Sequence, residues 1–534
     1  MVPSKSKRLF PLLLAAVFLC FVITPFCIFL ALPQKKISMV EKRKLAVFPK
    51  KEKGINGLLY FPQQFEKFYQ DHFGLRDNFI RMYNVVDLRL FNTAPVPFVL
   101  KGNDGWFFYT GEHVIEDYYG QLQADRIKMD EYMSMFADRQ AWLAKKGIRY
   151  LFIPVPNKIT VYDENLPYRI RHSRGISFYE QFLTATQDKG ARFKNTVDLR
   201  AIFQQRRKQT QLYCRTDTHW SHEGSLLAFN RALDICRQWF PGELAELSPD
   251  EFRRATVSFS GDLASMMHLQ KEVNEQIAIM TLKQPCAGAD QHLSAREMAI
   301  LSKSNKNPDQ FYTNGCPQRK LTALVIHDSF GIRLHRYFNE RFKRVTYSPN
   351  QLDKLKDFIL QEKPDIVFEV WVGRNMPRVK PIPEMTTEVI ADQYAASDRE
   401  RLQIDGSREM PEIIFEHDLT LKRSPEGLQI TSYSDDPFFI VPFTPPIHGE
   451  QYIAEVIIDA PQETSFALYF TTGDDSVHIK PQQNIMLHIH KGGNRLLFRL
   501  PHPDIWGQLR IDPGATTGNY LLRSLTIKAV QERW

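Results

Sequence analysis

Cysteine is scarce in this chain: six in 534 residues. No two stand in a Cys-x-x-Cys pair, and no His/Cys spacing matches a zinc site, so a metal-stapled module is not indicated. Charge of one sign is also short. The formal net charge is +8, a mild excess for this length. No basic stripe interleaved with aromatics occurs, which leaves a nucleic-acid partner without support. Two cysteines, Cys20 and Cys27, fall inside an apolar run. Of the other four, Cys286 and Cys316 flank a polar stretch that a disulfide would staple. Cys214 and Cys236 read equally well as free buried thiols.

What is present is folded-protein composition, 43% hydrophobic and 24% charged, over a length that calls for two or more domains. Residues 9–32 form 24 consecutive positions without a charge. That is enough to cross a bilayer, for which about 20 apolar residues suffice. Lys5, Lys7 and Arg8 precede the run and favour a cytoplasmic N-terminus (residues 1–8). A cleaved signal peptide is the alternative; the run exceeds the usual h-region, and Ala31-Leu32-Pro33 is a poor cleavage site. An uncleaved anchor through the inner membrane, with the rest of the chain in the periplasm, is therefore expected.

Residues 33–95 read as a helical stem, with amphipathic stripes opening at Tyr60-Phe61-Pro62 and running through Phe79, Met82, Val85, Val86 and Leu90. From 96 to 394 strands and helices alternate. Residues 321–326 are an apolar run interrupted by Thr322 alone, followed by a helix from about Ile332, a strand at 344–347, a helix at 352–362 and a strand at 366–372. That order predicts an α/β domain, a parallel sheet with helices on both faces. A strand is expected near Thr196-Val197-Asp198, and the polar 245–315 stretch as an irregular insertion or lid. Residues 395–411 are charged and linker-like. Residues 412–534 carry short alternating runs with turn signals, an all-β sandwich or jelly roll.

Two polar clusters carry the chemistry: Thr216-Asp217-Thr218-His219-Trp220-Ser221, and His327-Asp328-Ser329-Phe330-Gly331. Each sits where a strand should end and a helix begin. Ser329 is then at the carboxyl edge of the sheet, where open α/β folds gather ligands. Serine needs a neighbouring base, and His219 oriented by Asp217 supplies it. The bland readings are an N-cap serine and a hydrogen-bonded corner. A metal site built from Asp217, His219, His222, His327 and Asp328 is a further alternative, disfavoured because His327 and Asp328 should point apart when extended. No cofactor is indicated.

Asp217-Thr218-His219-Trp220 with His222-Glu223-Gly224, and Asp328-Ser329-Phe330 after its apolar strand, resemble the SGNH-hydrolase-like O-acetyltransferases of exopolysaccharide modification, the AlgJ/AlgX family. Gly102–Tyr109, Pro156-Asn157-Lys158 with Leu166-Pro167, Gly261-Asp262-Leu263-Ala264 and the Phe61–Asp77 stretch are similar too. The resemblance spans about residues 40–380. It implies a permuted SGNH-hydrolase-like fold with Asp and His before Ser, catalytic roles for Ser329, His219 and Asp217, and an acetyl-Ser intermediate. It also implies a polysaccharide acceptor and a membrane-bound O-acyltransferase as acetyl donor. His327 departs from the family, where a Gly often precedes Asp-Ser, and the Gly and Asn blocks of ordinary SGNH enzymes are absent. Asn157 and Arg374, each expected just beyond a strand end, are the candidate substrate-binding or oxyanion residues. A carbohydrate esterase and a non-catalytic glycan-binding scaffold are the rival functions.

Overall fold

The computed structural model describes residues 5–31, 36–38, 43–49, 55–124, 126–188, 191–288, 291–292, 312–349, 355–406, 410–447, 450–473, 475–481, 483–501 and 505–530. Its central sheet has the strand order Arg149–Val155, Ile366–Val372, Thr322–His327, Arg344–Pro349, Tyr312–Asn314, Gln291–His292. The first four strands are parallel and the last two add antiparallel, so the sheet is mixed at one edge.

Side chains alternate across a strand, so a doubly covered sheet must be apolar on both faces. One face carries Leu151, Ile153, Val155, Val325, Val370 and Val372, packed with Leu226, Phe229 and Leu233 of helix His222–Trp239. The other carries Tyr150, Phe152, Leu324, Ile326 and Val367, packed with Phe136 of helix Arg126–Ala144, Phe182 of helix Phe178–Gln187 and Phe358 of helix Leu355–Glu362. Residues 352–354 of that last expected helix lie outside the described residues.

Three local readings change. Near Thr196 there is a single bridge to Phe152 rather than a strand. After Ser329 the chain makes a 3-10 turn, Ser329–Leu334, before the α-helix His335–Arg341. The 245–315 insertion is structured where described: a hairpin pairs Phe252–Phe259 with Glu275–Leu282 around a short helix, Asp262–Met266. Mostly exposed residues in Phe252–Phe259 hide that strand from a hydropathy reading. Cys286 and Cys316 form a disulfide, while Cys214 and Cys236 are free and buried.

Among the described residues, Pro11–Ala31 is the stretch long and apolar enough to cross a membrane, and it is compatible with a single-pass anchor. The stem helices Ile55–His72 and Arg76–Val86 pack against it. Phe21 meets Phe79, and Phe29 meets Phe68 and Tyr69, at ring distances of 5.2–6.0 Å. Gly74 permits the approach: a Cβ there would lie 2.0 Å from the Pro25 carbonyl oxygen. The stem is tied to the α/β domain by Arg81–Glu272 and by the Asn84 amide donating to the Met267 carbonyl at 2.7 Å.

The C-terminal region is a sandwich of two antiparallel sheets around one apolar core. Residues 395–411 are not a plain linker. Glu400–Asp405 pairs with Gly518–Val530, burying Leu402 and Ile404, an alternation masked by the flanking charges of Glu400, Arg401 and Asp405; residues 407–409 lie outside the described residues. Arg499 of the sandwich bonds Asp138 of the α/β domain through both nitrogens, at 2.7 and 2.9 Å.

Candidate active site

Ser329 follows the parallel strand Thr322–His327 at its carboxyl end, and Asp217 and His219 lie in the bend before helix His222–Trp239. Ser221 caps that helix, its Oγ accepting the Gly224 N–H at 3.0 Å. His219 Nε2 stands 2.8 Å from Ser329 Oγ, and His219 Nδ1 stands 2.7 Å from Asp217 Oδ1. The same Asp217 oxygen accepts the His219 backbone N–H at 2.8 Å. That bond supplies the turn which lets residues two apart face each other. Trp220 Nε1 donates to the Phe330 carbonyl at 3.2 Å and joins the two clusters.

An acceptor carboxylate at Nδ1 puts the ring proton there and leaves Nε2 free to take the serine proton. Burial pushes the Asp217 carboxyl up, but the hydrogen bond and charge of His219 outweigh it and hold the group well below the ordinary carboxylate range.

Several residues without an assigned role in the sequence hold this arrangement. Lys158 is buried and donates to the carbonyls of Cys214, Arg215 and Asp217 at 2.9, 3.1 and 2.7 Å, fastening the bend from beneath. Burial brings its amine down to about 8. Asp262 arrives from the insertion: its backbone N–H bonds Asp217 Oδ2 at 3.0 Å, and its carboxylate accepts from Thr218 N and Oγ1 at 2.7 and 2.6 Å. Its Oδ2 is also 3.5 Å from His219 Nδ1. Both residues belong to short segments singled out above, Pro156-Asn157-Lys158 and Gly261–Ala264. Their type and place were legible; the contacts were not.

Asp328 does not act on His219. Its carboxylate accepts from Phe330 N, Val372 N and Asn375 Nδ2 at 2.9, 2.8 and 2.9 Å, and so shapes the serine turn. His222 is drawn away to the insertion, its Nδ1 accepting the Met280 N–H at 2.9 Å. Of the groups in the alternative metal set, Asp217 and His219 come together, joined by Asp262.

His327 belongs to a buried relay. Its Nδ1–H donates to the Asp328 carbonyl at 2.7 Å, so its Nε2 is an acceptor, met by His335 Nε2–H at 3.0 Å. His335 Nδ1 in turn accepts from the Tyr312 hydroxyl. Every polar atom of the two rings is used with both rings neutral. The relay also explains Gly331: a Cβ there would lie 2.3 Å from the His327 Cβ. Gly331→Ala is expected to push the serine turn off its place, costing about 1–3 kcal/mol by overpacking and lowering activity. His327→Gly in the same chain should recover activity, and kinetics on the single and double variants will show whether it does.

Both relay rings are held below the ordinary imidazole range by burial, His335 down to about 2, and burial with nearby Arg336 brings His222 to about 4. The unfolded chain therefore binds more protons than the native one below the ordinary value of 6.5. Stability is full above that pH and falls as pH drops from 6.5 towards 4 and below. Urea midpoints taken across this range should decline with acid, and less steeply in His335→Phe; equal slopes would contradict the role given to His335.

Asn157 and Arg374 sit at adjoining strand ends and line one cleft with Tyr109, Val114 and Thr218. Asn157 is buried; its amide reaches Asp117 at 3.5 Å and its oxygen faces the Arg374 N–H at 3.4 Å. The Arg374 guanidinium lies 5.5 Å from the Phe330 ring and pairs with Glu112 at 3.1 Å. Among the described residues, neither is hydrogen-bonded to Ser329.

A serine–histidine–aspartate chain at the carboxyl edge of a largely parallel sheet defines an SGNH-hydrolase-like α/β domain. Residues 99–306 match the family model described as SGNH hydrolase-like domain, acetyltransferase AlgX, a stretch that includes Asp217 and His219 and ends before Ser329. This stretch is similar to the AlgJ/AlgX-like family. A probable alginate O-acetylase AlgJ of Pseudomonas syringae is 27% identical over 207 residues, 38% of this chain and 50% of that protein. The chain thus spans about half the length of the curated relatives it matches. Among solved structures, the O-acetyltransferase domain of Pseudomonas putida AlgJ aligns with 18% identity and a TM-score of 0.35, over 55% of this chain and 100% of that one. Pseudomonas aeruginosa AlgX aligns with 14% identity and a TM-score of 0.35, over 83% and 95%.

Proposed function

We propose that this chain is a membrane-anchored O-acetyltransferase that moves acetyl groups onto a polysaccharide, through an acetyl-Ser329 intermediate. The observation that carries the reading is the unbroken hydrogen-bond chain Asp217–His219–Ser329 in a chain similar to the AlgJ/AlgX-like family.

Ser329 Oγ attacks the donor's acetyl carbonyl while His219 Nε2 takes the hydroxyl proton. Asp217 holds Nδ1–H and stabilises the imidazolium. The donor's leaving oxygen takes that proton and departs, leaving acetyl on Ser329. A glycan hydroxyl then gives its proton to His219 and attacks the ester; the acetyl moves to the glycan, and the proton returns to Ser329. The Ser329 N–H, at the open start of its helical turn, serves in this reading as a backbone donor to the oxyanion. Arg374 and Asn157 are the residues this reading assigns to acceptor binding. Helix Lys5–Ala31 holds the catalytic region on the periplasmic side of the inner membrane, and a membrane-bound O-acyltransferase supplies acetyl. In this reading the sandwich presents glycan.

The test is turnover of 4-nitrophenyl acetate with and without a deacetylated polysaccharide. Acetyl appearing on the polysaccharide supports transfer. Acetate release that ignores the added glycan would make the protein an esterase with the same three residues.

A further inference from the structure

The second sheet of the sandwich ends in the edge strand Asn484–Ile489, paired antiparallel with Thr464–Thr472. Its register sets Ile489 opposite Thr464 and His488 opposite Ser465. Carried one step further, the ladder brings His490 opposite Glu463. Residues two apart on a strand share a face, so His488 and His490 project together, with Glu463 on the same side of the neighbouring strand.

The side chains confirm what the register requires. His490 Nδ1 lies 3.5 Å from Glu463 Oε1, and the two imidazole rings are 4.8 Å apart, crossed at 84°. One ligand atom from each of the three residues falls within 4.8 Å of the others. The backbone under them is held. The His490 N–H donates to Asn494 Oδ1 at 2.8 Å, and Asn494 Nδ2 returns a bond to the His490 carbonyl at 2.7 Å. His488 is fixed by the ladder itself, and Glu463 directly precedes the first paired residue of its strand, Thr464. All three side chains are exposed.

We propose that Glu463, His488 and His490 bind a first-row divalent cation, of which Zn2+ is the best fit. A surface ion pair needs one imidazole and one carboxylate. A second imidazole beside them adds a neutral nitrogen that a salt bridge does not use. Two nitrogens and one carboxylate oxygen are a common three-ligand set for Zn2+, with bonds of about 2.0–2.2 Å. Hard cations such as Mg2+ prefer all-oxygen shells and do not suit it. Three protein ligands leave a coordination position open to water or to an oxygen of an external molecule. The site lies on the sandwich and shares no residue with the serine site.

The experiment is Zn2+ titration of the full chain in detergent, purified without a histidine tag, against a chromophoric chelator of known affinity. One equivalent should bind to wild type. His488→Ala and His490→Ala should each weaken that equivalent by more than about tenfold, because each removes one of three ligand bonds. Glu463→Gln should weaken it as well. Asp262→Asn controls for the Asp217/His219/Asp262 cluster, and the binding should survive it. Co2+ in place of Zn2+ should give a visible d–d band that His488→Ala abolishes. An equivalent that persists in the His488→Ala/His490→Ala double variant, or no Zn2+ bound by wild type, overturns the proposal. Circular dichroism will show that these exposed substitutions leave the fold intact.

Discussion

Ser329→Ala is expected to abolish acetyl transfer to glycan while leaving the fold unchanged. The hydroxyl is the atom that would carry acetyl, and its partner is the imidazole of His219 at 2.8 Å. Removing it takes away covalent chemistry and leaves what binding and oxyanion stabilisation provide. In serine triads that residue of activity is about 10³–10⁴ over water, against a loss on the order of 10⁶ in turnover. His219→Ala should fall as far, and the double variant no further, since residues acting as one unit do not add. Ser329 is exposed, so its loss opens no cavity and unfolding midpoints should stay within error. Mass spectrometry of wild type quenched during turnover should find an acetyl group on the peptide that contains Ser329. Glycan acetylation at the wild-type rate in Ser329→Ala would end the covalent reading, whatever the sandwich or the anchor does.

The largest loss of stability is expected from Arg139→Met. Arg139, from helix Arg126–Ala144, pairs with Glu369 in the middle of the strand Ile366–Val372, and both side chains are at most 2% exposed. Arg139 also donates to the Lys380 carbonyl at 2.9 Å, and Trp371 Nε1 approaches the other Glu369 oxygen at 3.4 Å. Register puts Glu369 between Ile326 and Phe152, so its carboxylate has no route to water without opening the sheet. Removing the cation strands a buried charge, which costs about 3–5 kcal/mol. The pair itself is worth far less, because two desolvated ions repay little more than their desolvation. Arg139→Met with Glu369→Leu should therefore recover most of the loss. Urea unfolding of the three variants reads this directly. A single variant within about 0.5 kcal/mol of wild type would show that water reaches Glu369 after all.

Much of the architecture was legible from pattern alone. The strand Thr322–His327 shows as the apolar run Ala323-Leu324-Val325-Ile326 because both of its faces are covered. The sandwich strands show as alternation because they have one inner face each. Reading failed where burial and hydropathy part company. Glu400–Asp405 buries Leu402 and Ile404 between charges, and it looked like connector. Phe252–Phe259 is a strand made of mostly exposed residues. The 3-10 turn after Ser329 is set by Asp328 binding Phe330 N, a local contact that no periodicity reports.

For the site, residue chemistry and chain order were enough to single out Asp217, His219 and Ser329, since few side-chain types can activate a serine. Lys158, Asp262 and Asn375 needed the fold, because each acts through a bond to a segment far off in sequence, and the His327–His335 pair needed it because the turn between them brings the two rings together. Sequence by itself determined the kinds of element, the apolar helix, and which residues could do acyl chemistry; those follow from local periodicity and side-chain pKa. Tertiary structure decided which carboxylate faces His219, that His222 turns away to Met280, and that Glu463 meets His488 and His490 across a ladder. Such pairings rest on register and packing between distant segments, and no local pattern encodes them.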